Sequence, residues 1–193
     1  MAAASVAARK RKLGEAMEIL KSLGFGPRQS NEVAAYTFLA LIDLAANAPW
    51  SAASNPLRGI TPVIESIAKA YGVRYAPNTR ETIRDEAVKY FVEAGLLLRN
   101  PDNPNRPTNS GQTVYQVEPI ALALVRTFGT KPWPAQLKVQ TLQGWAGFRD
   151  RVCDPARDAK FPAADFVGDR SLGRRSAGPF DSLRRAAFFG AVP

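Results

Sequence analysis

Ala76-Pro77-Asn78-Thr79-Arg80-Glu81-Thr82-Ile83-Arg84 opens the segment that decides the fold. Asn78 is a capping residue type, and Glu81 comes three positions later, the spacing of a reciprocal capping box. Ile83, Ala87, Val88 and Phe91 then recur at helical intervals and predict one apolar stripe. Gly95 succeeds Ala94 where a left-handed residue is wanted just past a helix end. Arg80 and Arg84 are four residues apart, so they share a face turned away from the stripe.

The residues after this helix are as informative as the helix itself. Leu96-Leu97-Leu98-Arg99 predicts a short apolar strand, and Asn100 to Gly111 is nearly all turn-forming residues. Thr113-Val114-Tyr115-Gln116-Val117 alternates and is β-prone, which predicts the return strand. Helix, strand, polar loop and strand in that order predict a mainly α fold, a winged helix-turn-helix with a two-stranded β-wing and flanking helices.

Outward from this segment, Val6 to Leu23 reads as an amphipathic helix with Leu13, Met17 and Leu20 on one side. Ser30 or Asn31 caps a nearly buried helix from Glu32 to about Ala45. A loop runs from Asn47 to Gly59; Thr61 is then the expected cap of another helix, with Pro62 at its first position. Pro119 starts a helix that reaches Phe128-Gly129, and a last amphipathic piece spans Ala135 to Leu142. The predicted organisation is a basic amino-terminal helix (1–30), a winged-helix domain (31–143) and an irregular, poorly ordered tail (144–193). In that tail Gly168, Gly173, Gly178 and Pro179 interrupt every candidate element.

The formal charge is +9, with 26 basic against 17 acidic residues. By segment it is about +4 in residues 1–30, about +2 in 31–150 and about +3 beyond. This excess calls for an anionic partner, nucleic acid first and an acidic membrane second. The reading domain itself is only mildly basic, so specificity must come from where its arginines point. The chain has no histidine and one cysteine, Cys153. Ser-His-Asp and Cys-His catalysis, zinc fingers and histidine-ligated metals are thereby excluded in their usual forms. A lone cysteine fits a reducing cytoplasm, and no apolar run reaches membrane-spanning length. The basic cluster Arg9-Lys10-Arg11-Lys12 comes after the small apolar start rather than before it, the reverse of a secretory signal.

Arg80 and Arg84 are the foremost candidates for base contacts, because a guanidinium can bond the O6 and N7 of guanine together. Intrahelical pairing with Glu81 or Asp85 is the alternative. Asn78 and Thr79 either touch DNA or simply cap, and Thr82, on the same turn, is a further candidate DNA contact. Asn105, Arg106, Asn109, Ser110 and Gln112 on the wing are candidates for backbone or minor-groove contacts, against the alternative of a solvated hairpin tip. Arg9 to Lys12 would add a salt-sensitive phosphate contribution if they lie beside the duplex. No catalytic or metal-binding residue is assigned.

The segment from about Leu13 to Leu142 resembles the amino-terminal helix-turn-helix domain of BsuBI/PstI-type restriction endonucleases. The matching phrases are Pro49-Trp50-Ser51, Ser54-Asn55-Pro56-Leu57-Arg58-Gly59-Ile60-Thr61-Pro62, Tyr75 to Arg84, Phe91-Val92-Glu93-Ala94-Gly95-Leu96, Asn100-Pro101-Asp102 and Val114-Tyr115-Gln116. The resemblance implies double-stranded DNA as partner, a short palindromic site such as CTGCAG, and descent from two-part enzymes. Their second part is a Mg²⁺-dependent nuclease with paired carboxylates and a lysine. In this chain the only Asp/Glu-x-Lys triplet is Asp158-Ala159-Lys160, bracketed by Pro155 and Pro162 with no strand pattern around it. The expectation is therefore a truncated or frame-shifted descendant that keeps the reader and lacks the cutter, with no cofactor of its own. Two other readings stand beside it: an endonuclease completed by a partner chain, and a winged-helix transcriptional regulator. A palindromic target would imply two-fold symmetry, hence a homodimer.

Overall fold

The computed structural model describes residues 5–76, 78–107 and 110–143. The predicted irregular tail and the Asp158-Ala159-Lys160 triplet lie outside the described residues. Six helices and one hairpin are described: α1 (Val6–Ser22), α2 (Glu32–Leu41), α3 (Ile60–Tyr71), α4 (residues 79–93), β1 (Leu97–Arg99), β2 (Tyr115–Val117), α5 (Pro119–Val125) and α6 (Trp133–Gln143). A single 3₁₀ turn, Trp50–Ala52, lies between α2 and α3. Helix α4 consists of Thr79–Ile83, a π segment Arg84–Val88, and Lys89–Glu93, joined without a break.

Helix α2 is the hub. Every residue from Ala34 to Leu41 is buried, and the helix contacts α1, α3, α4 and β2. A helix that is apolar all round must be covered on all sides, which is what these neighbours do. Asn31 starts it by accepting from the Ala34 amide at 2.9 Å. Phe91 of α4 is wholly buried and meets Phe25 and Phe38 edge-on, with ring centroids 5.1 and 6.4 Å apart. Edge-on pairs of this kind add about 0.5–1.5 kcal/mol beyond the area they bury.

Arg58 ties three elements together. Its amide donates to Tyr115 O at 3.0 Å and its carbonyl accepts from the Tyr115 amide at 2.8 Å, so it forms a one-residue third strand on β2. Its guanidinium donates to Ala40 O at 2.7 Å, to Ser66 Oγ at 3.0 Å and to Asp43 Oδ1 at 2.6 Å. These contacts explain two departures from expectation. Helix α2 ends at Leu41 rather than near Ala45, because Ala40 O is taken by Arg58 and Ile42 O by the Ser54 amide (2.8 Å), while Asp43 turns left-handed at φ 50°. Helix α3 begins at Ile60 with Gly59 as its cap, not Thr61, because the chain must leave the sheet immediately after Arg58. Pro62 then falls inside the first turn, where its missing N–H costs nothing.

The C-terminal end of α4 obeys the expected chemistry. Gly95 has φ 75°, its amide donates to Val92 O and the Leu96 amide donates to Phe91 O (2.9 and 2.8 Å), a Schellman closure. The N-terminal end does not. Asn78 is helical, its side chain makes no capping bond, and the expected capping box is absent. The Thr79 amide bonds Ala76 O at 2.9 Å instead, and the Glu81 side chain turns to Arg84. After α4 the chain enters an antiparallel hairpin in the register Leu97↔Val117, Leu98↔Gln116, Arg99↔Tyr115. Helix α5 is capped by the Glu118 carboxylate, which accepts from the Ala121 amide at 2.8 Å, and it ends at Val125, short of the expected Phe128. Among the described residues no helix is long and apolar enough to cross a membrane.

Candidate nucleic-acid interface

Helix α4 carries Ile83, Ala87, Val88 and Phe91 inward and leaves Arg80, Glu81, Arg84, Asp85, Glu86 and Lys89 exposed. Ala87 and Val88, four and five residues after Ile83, are both buried. The helix passes through its π segment here: the Lys89 amide bonds Arg84 O, an i→i+5 link. One turn above Arg84 therefore stands Lys89, where an uninterrupted α-helix would place Val88. Periodicity did not single out Lys89, because regular helical spacing places Val88 one turn after Arg84.

Arg84 is held by two carboxylates. Its Nη2 pairs with Glu81 Oε2, and its Nε donates to Asp85 Oδ1 at 3.0 Å. The Asp85 bond, more than any other influence, raises the guanidinium above its ordinary value. All three side chains stay more than half exposed, at 51, 58 and 59%. Arg80, one turn earlier, is exposed and makes no ion pair among the described residues. Asn78 is exposed, Thr82 half-buried, and Thr79 buried at 8% exposure.

The hairpin stands beside this face. Tyr115 is buried on β2, and burial pushes its phenol up, while the positive charges of Arg99 and Arg84 pull it back. Asn100 organises the loop: with φ 49° and only 4% exposure, its Oδ1 accepts from the Val114 amide and from Arg106 Nη1, both at 3.0 Å. Arg106 also forks onto Asp102 at 3.1 and 2.6 Å. This predicted contact residue is folded into the turn, its side chain 13% exposed. Asn105 and Gln112 are exposed; Ser110 is half-buried and its Oγ accepts from the Gln112 amide at 3.2 Å. Asn109 lies outside the described residues.

The amino-terminal basic cluster divides in two. Arg9 Nη1 donates to Tyr71 O at 3.0 Å, closing the end of α3. Lys12 is buried, 3.2 Å from Glu15 and 4.7 Å from the centre of the Trp50 ring, whose Nε1 donates to the same carboxylate at 2.8 Å. Lys10 and Arg11 face outward. Among the described residues no group of three or more histidine, cysteine, aspartate or glutamate side chains could hold a metal ion.

Residues 10–144 match the family described as BsuBI/PstI restriction endonuclease HTH domain. The chain is 40% identical over 148 residues to the type II restriction enzyme BsuBI of Bacillus subtilis, covering 77% of this chain and 46% of that protein. It is 36% identical over 123 residues to the type II restriction enzyme AplI of Arthrospira platensis, covering 64% of this chain and 38% of the relative. In three dimensions it resembles the SdaI restriction endonuclease, with a TM-score of 0.66 at 30% identity over 75% of this chain and 44% of that one. The chain spans less than half the length of each of these relatives.

Proposed function

The chain belongs to the BsuBI/PstI restriction endonuclease HTH-domain family, and from that premise we propose that it is a winged-helix reader of duplex DNA, inserting α4 into the major groove. One observation carries this reading: Arg80 and Arg84 stand exposed on the first turns of a helix whose opposite face is locked into the core. Support comes from the order of the elements. Helix α2, the Arg58 bridge, α3, α4, β1, the polar loop and β2 keep the succession of a winged helix, with the loop as wing. Arg80 and Arg84 supply base contacts; Asn78, Thr82, Lys89, Asn105 and Gln112 are the nearest candidates for phosphate contacts. A palindromic site would be read by two copies, and the place of action is the cytoplasm.

On this reading these 193 residues bind without cutting, because their only Asp/Glu-x-Lys triplet, Asp158-Ala159-Lys160, is bracketed by prolines with no strand pattern around it. The test uses the purified 193-residue chain with labelled duplexes containing or lacking CTGCAG, with and without Mg²⁺. Salt-sensitive, sequence-dependent binding without cleavage is expected, and Arg84→Ala should cost about 1–3 kcal/mol of site discrimination. Cleavage in the presence of Mg²⁺ would refute the binding-only reading. Absence of binding to any duplex at low salt would refute the assignment of the interface itself.

A further inference from the structure

A helix meant to enter a polyanion carries, on its exposed face, a guanidinium flanked by two carboxylates. Phosphates repel carboxylates, so Glu81 and Asp85 weaken every DNA complex in which they find no hydrogen-bond donor. In the major groove the donors available are the N4 amino group of cytosine and the N6 amino group of adenine. Adenine presents N7, an acceptor, beside its amino group, which opposes a carboxylate; cytosine does not. Once Glu81 turns to a base, the Arg84 Nη atoms find their matching acceptors on guanine, with Nε still on Asp85.

We propose that Glu81 is a second base-reading residue, accepting from the N4 amino group of a cytosine while Arg84 bonds a guanine of the adjacent base pair. This rests on the assignment of α4 as the major-groove helix and adds the residue that fixes the second base. Asp85 is a positioning residue: its bond to Nε, 3.0 Å long, aims the guanidinium from the next position in the chain. On DNA without a cytosine in place, the Glu81 carboxylate meets acceptors or phosphate and the complex is penalised, so the same residue rejects wrong sites as well as recognising the right one.

The experiment is selection of bound sequences from a randomised duplex pool by the full chain, its Glu81→Gln and its Arg84→Ala variants, with affinity for an unrelated duplex measured alongside. Glu81 is 58% exposed, so the glutamine variant keeps the fold, which circular dichroism checks. The wild type should enrich a motif with a fixed guanine and, at the neighbouring base pair, a fixed cytosine. Glu81→Gln should keep the guanine, lose the cytosine preference by roughly tenfold or more, and bind unrelated DNA more tightly. Arg84→Ala should lose the guanine. An unchanged cytosine preference in Glu81→Gln overturns the proposal, and so does an equal loss of guanine and cytosine, which would make Glu81 only a support for Arg84. A wild-type chain that binds duplexes but enriches no motif overturns instead the reading of α4 on which the proposal stands.

Discussion

At the scale of single residues, the arginines of this domain divide by what they touch. Arg84 keeps half of its surface in solvent between two carboxylates, whereas Arg106 is drawn inward by Asn100 and Asp102. The sequence placed both among the candidate contacts, because spacing reveals which turn a residue occupies but not which way a long side chain folds. The phrase Asn100-Pro101-Asp102 held the missing clue: an asparagine able to turn left-handed, then a carboxylate four residues before an arginine. The Arg106 hydrogen bond holds the Asp102 carboxyl below its ordinary value of 3.8. A carboxyl lowered on folding contributes stability above its unfolded value and loses it as pH falls through the folded one. Amide protection and shifts in residues 100–106, monitored by NMR, should therefore stay constant from neutral pH down to about 4. They should change only below that; a transition between pH 5 and 7 would show that Asp102 is not the group holding the turn.

At the scale of elements, what the sequence displayed well was ends made by backbone preference, and what it hid was ends made by distant partners. Gly95 was legible as the terminus of α4 because a left-handed residue there favours glycine whatever surrounds it. The termini of α2 and α3 were not, because both are set by Arg58, whose partners Ala40, Ser66 and Tyr115 are far apart in the chain. The capping box failed for a related reason: Glu81 prefers the guanidinium three residues on to the backbone three residues back. Gly95 has open space where a Cβ would sit, so Gly95→Ala tests backbone strain alone. It should lower stability in urea by about 1–2 kcal/mol, without changing the slope of the transition. A neutral substitution would mean that the turn into β1 relaxes at no cost.

At the scale of the whole molecule, the family and the helical architecture were legible from a handful of ordered phrases, while the role of the amino-terminal charges was not. Read as a run, Arg9-Lys10-Arg11-Lys12 offered a phosphate contribution on condition of lying beside the duplex; folded, Arg9 closes α3 and Lys12 lies between Glu15 and the ring of Trp50. Neighbouring residues of one charge thus serve packing or solvent according to a helical phase that charge counting ignores. Lys12→Ala should cost about 1–2 kcal/mol of stability through the lost cation–π contact. It should leave the DNA affinity of the folded protein unchanged, as measured by urea titration of tryptophan emission and by anisotropy on a duplex. A fall in affinity at unchanged stability would return Lys12 to the interface.

Because Arg58 answers to three neighbours at once, none of them can drift alone. Lengthening α2, sliding β2 by one position or delaying α3 would each unseat the same guanidinium. The scaffold is thus inherited as a single lot, while the outward side of residues 79–93 owes nothing to it and is where new preferences can be written.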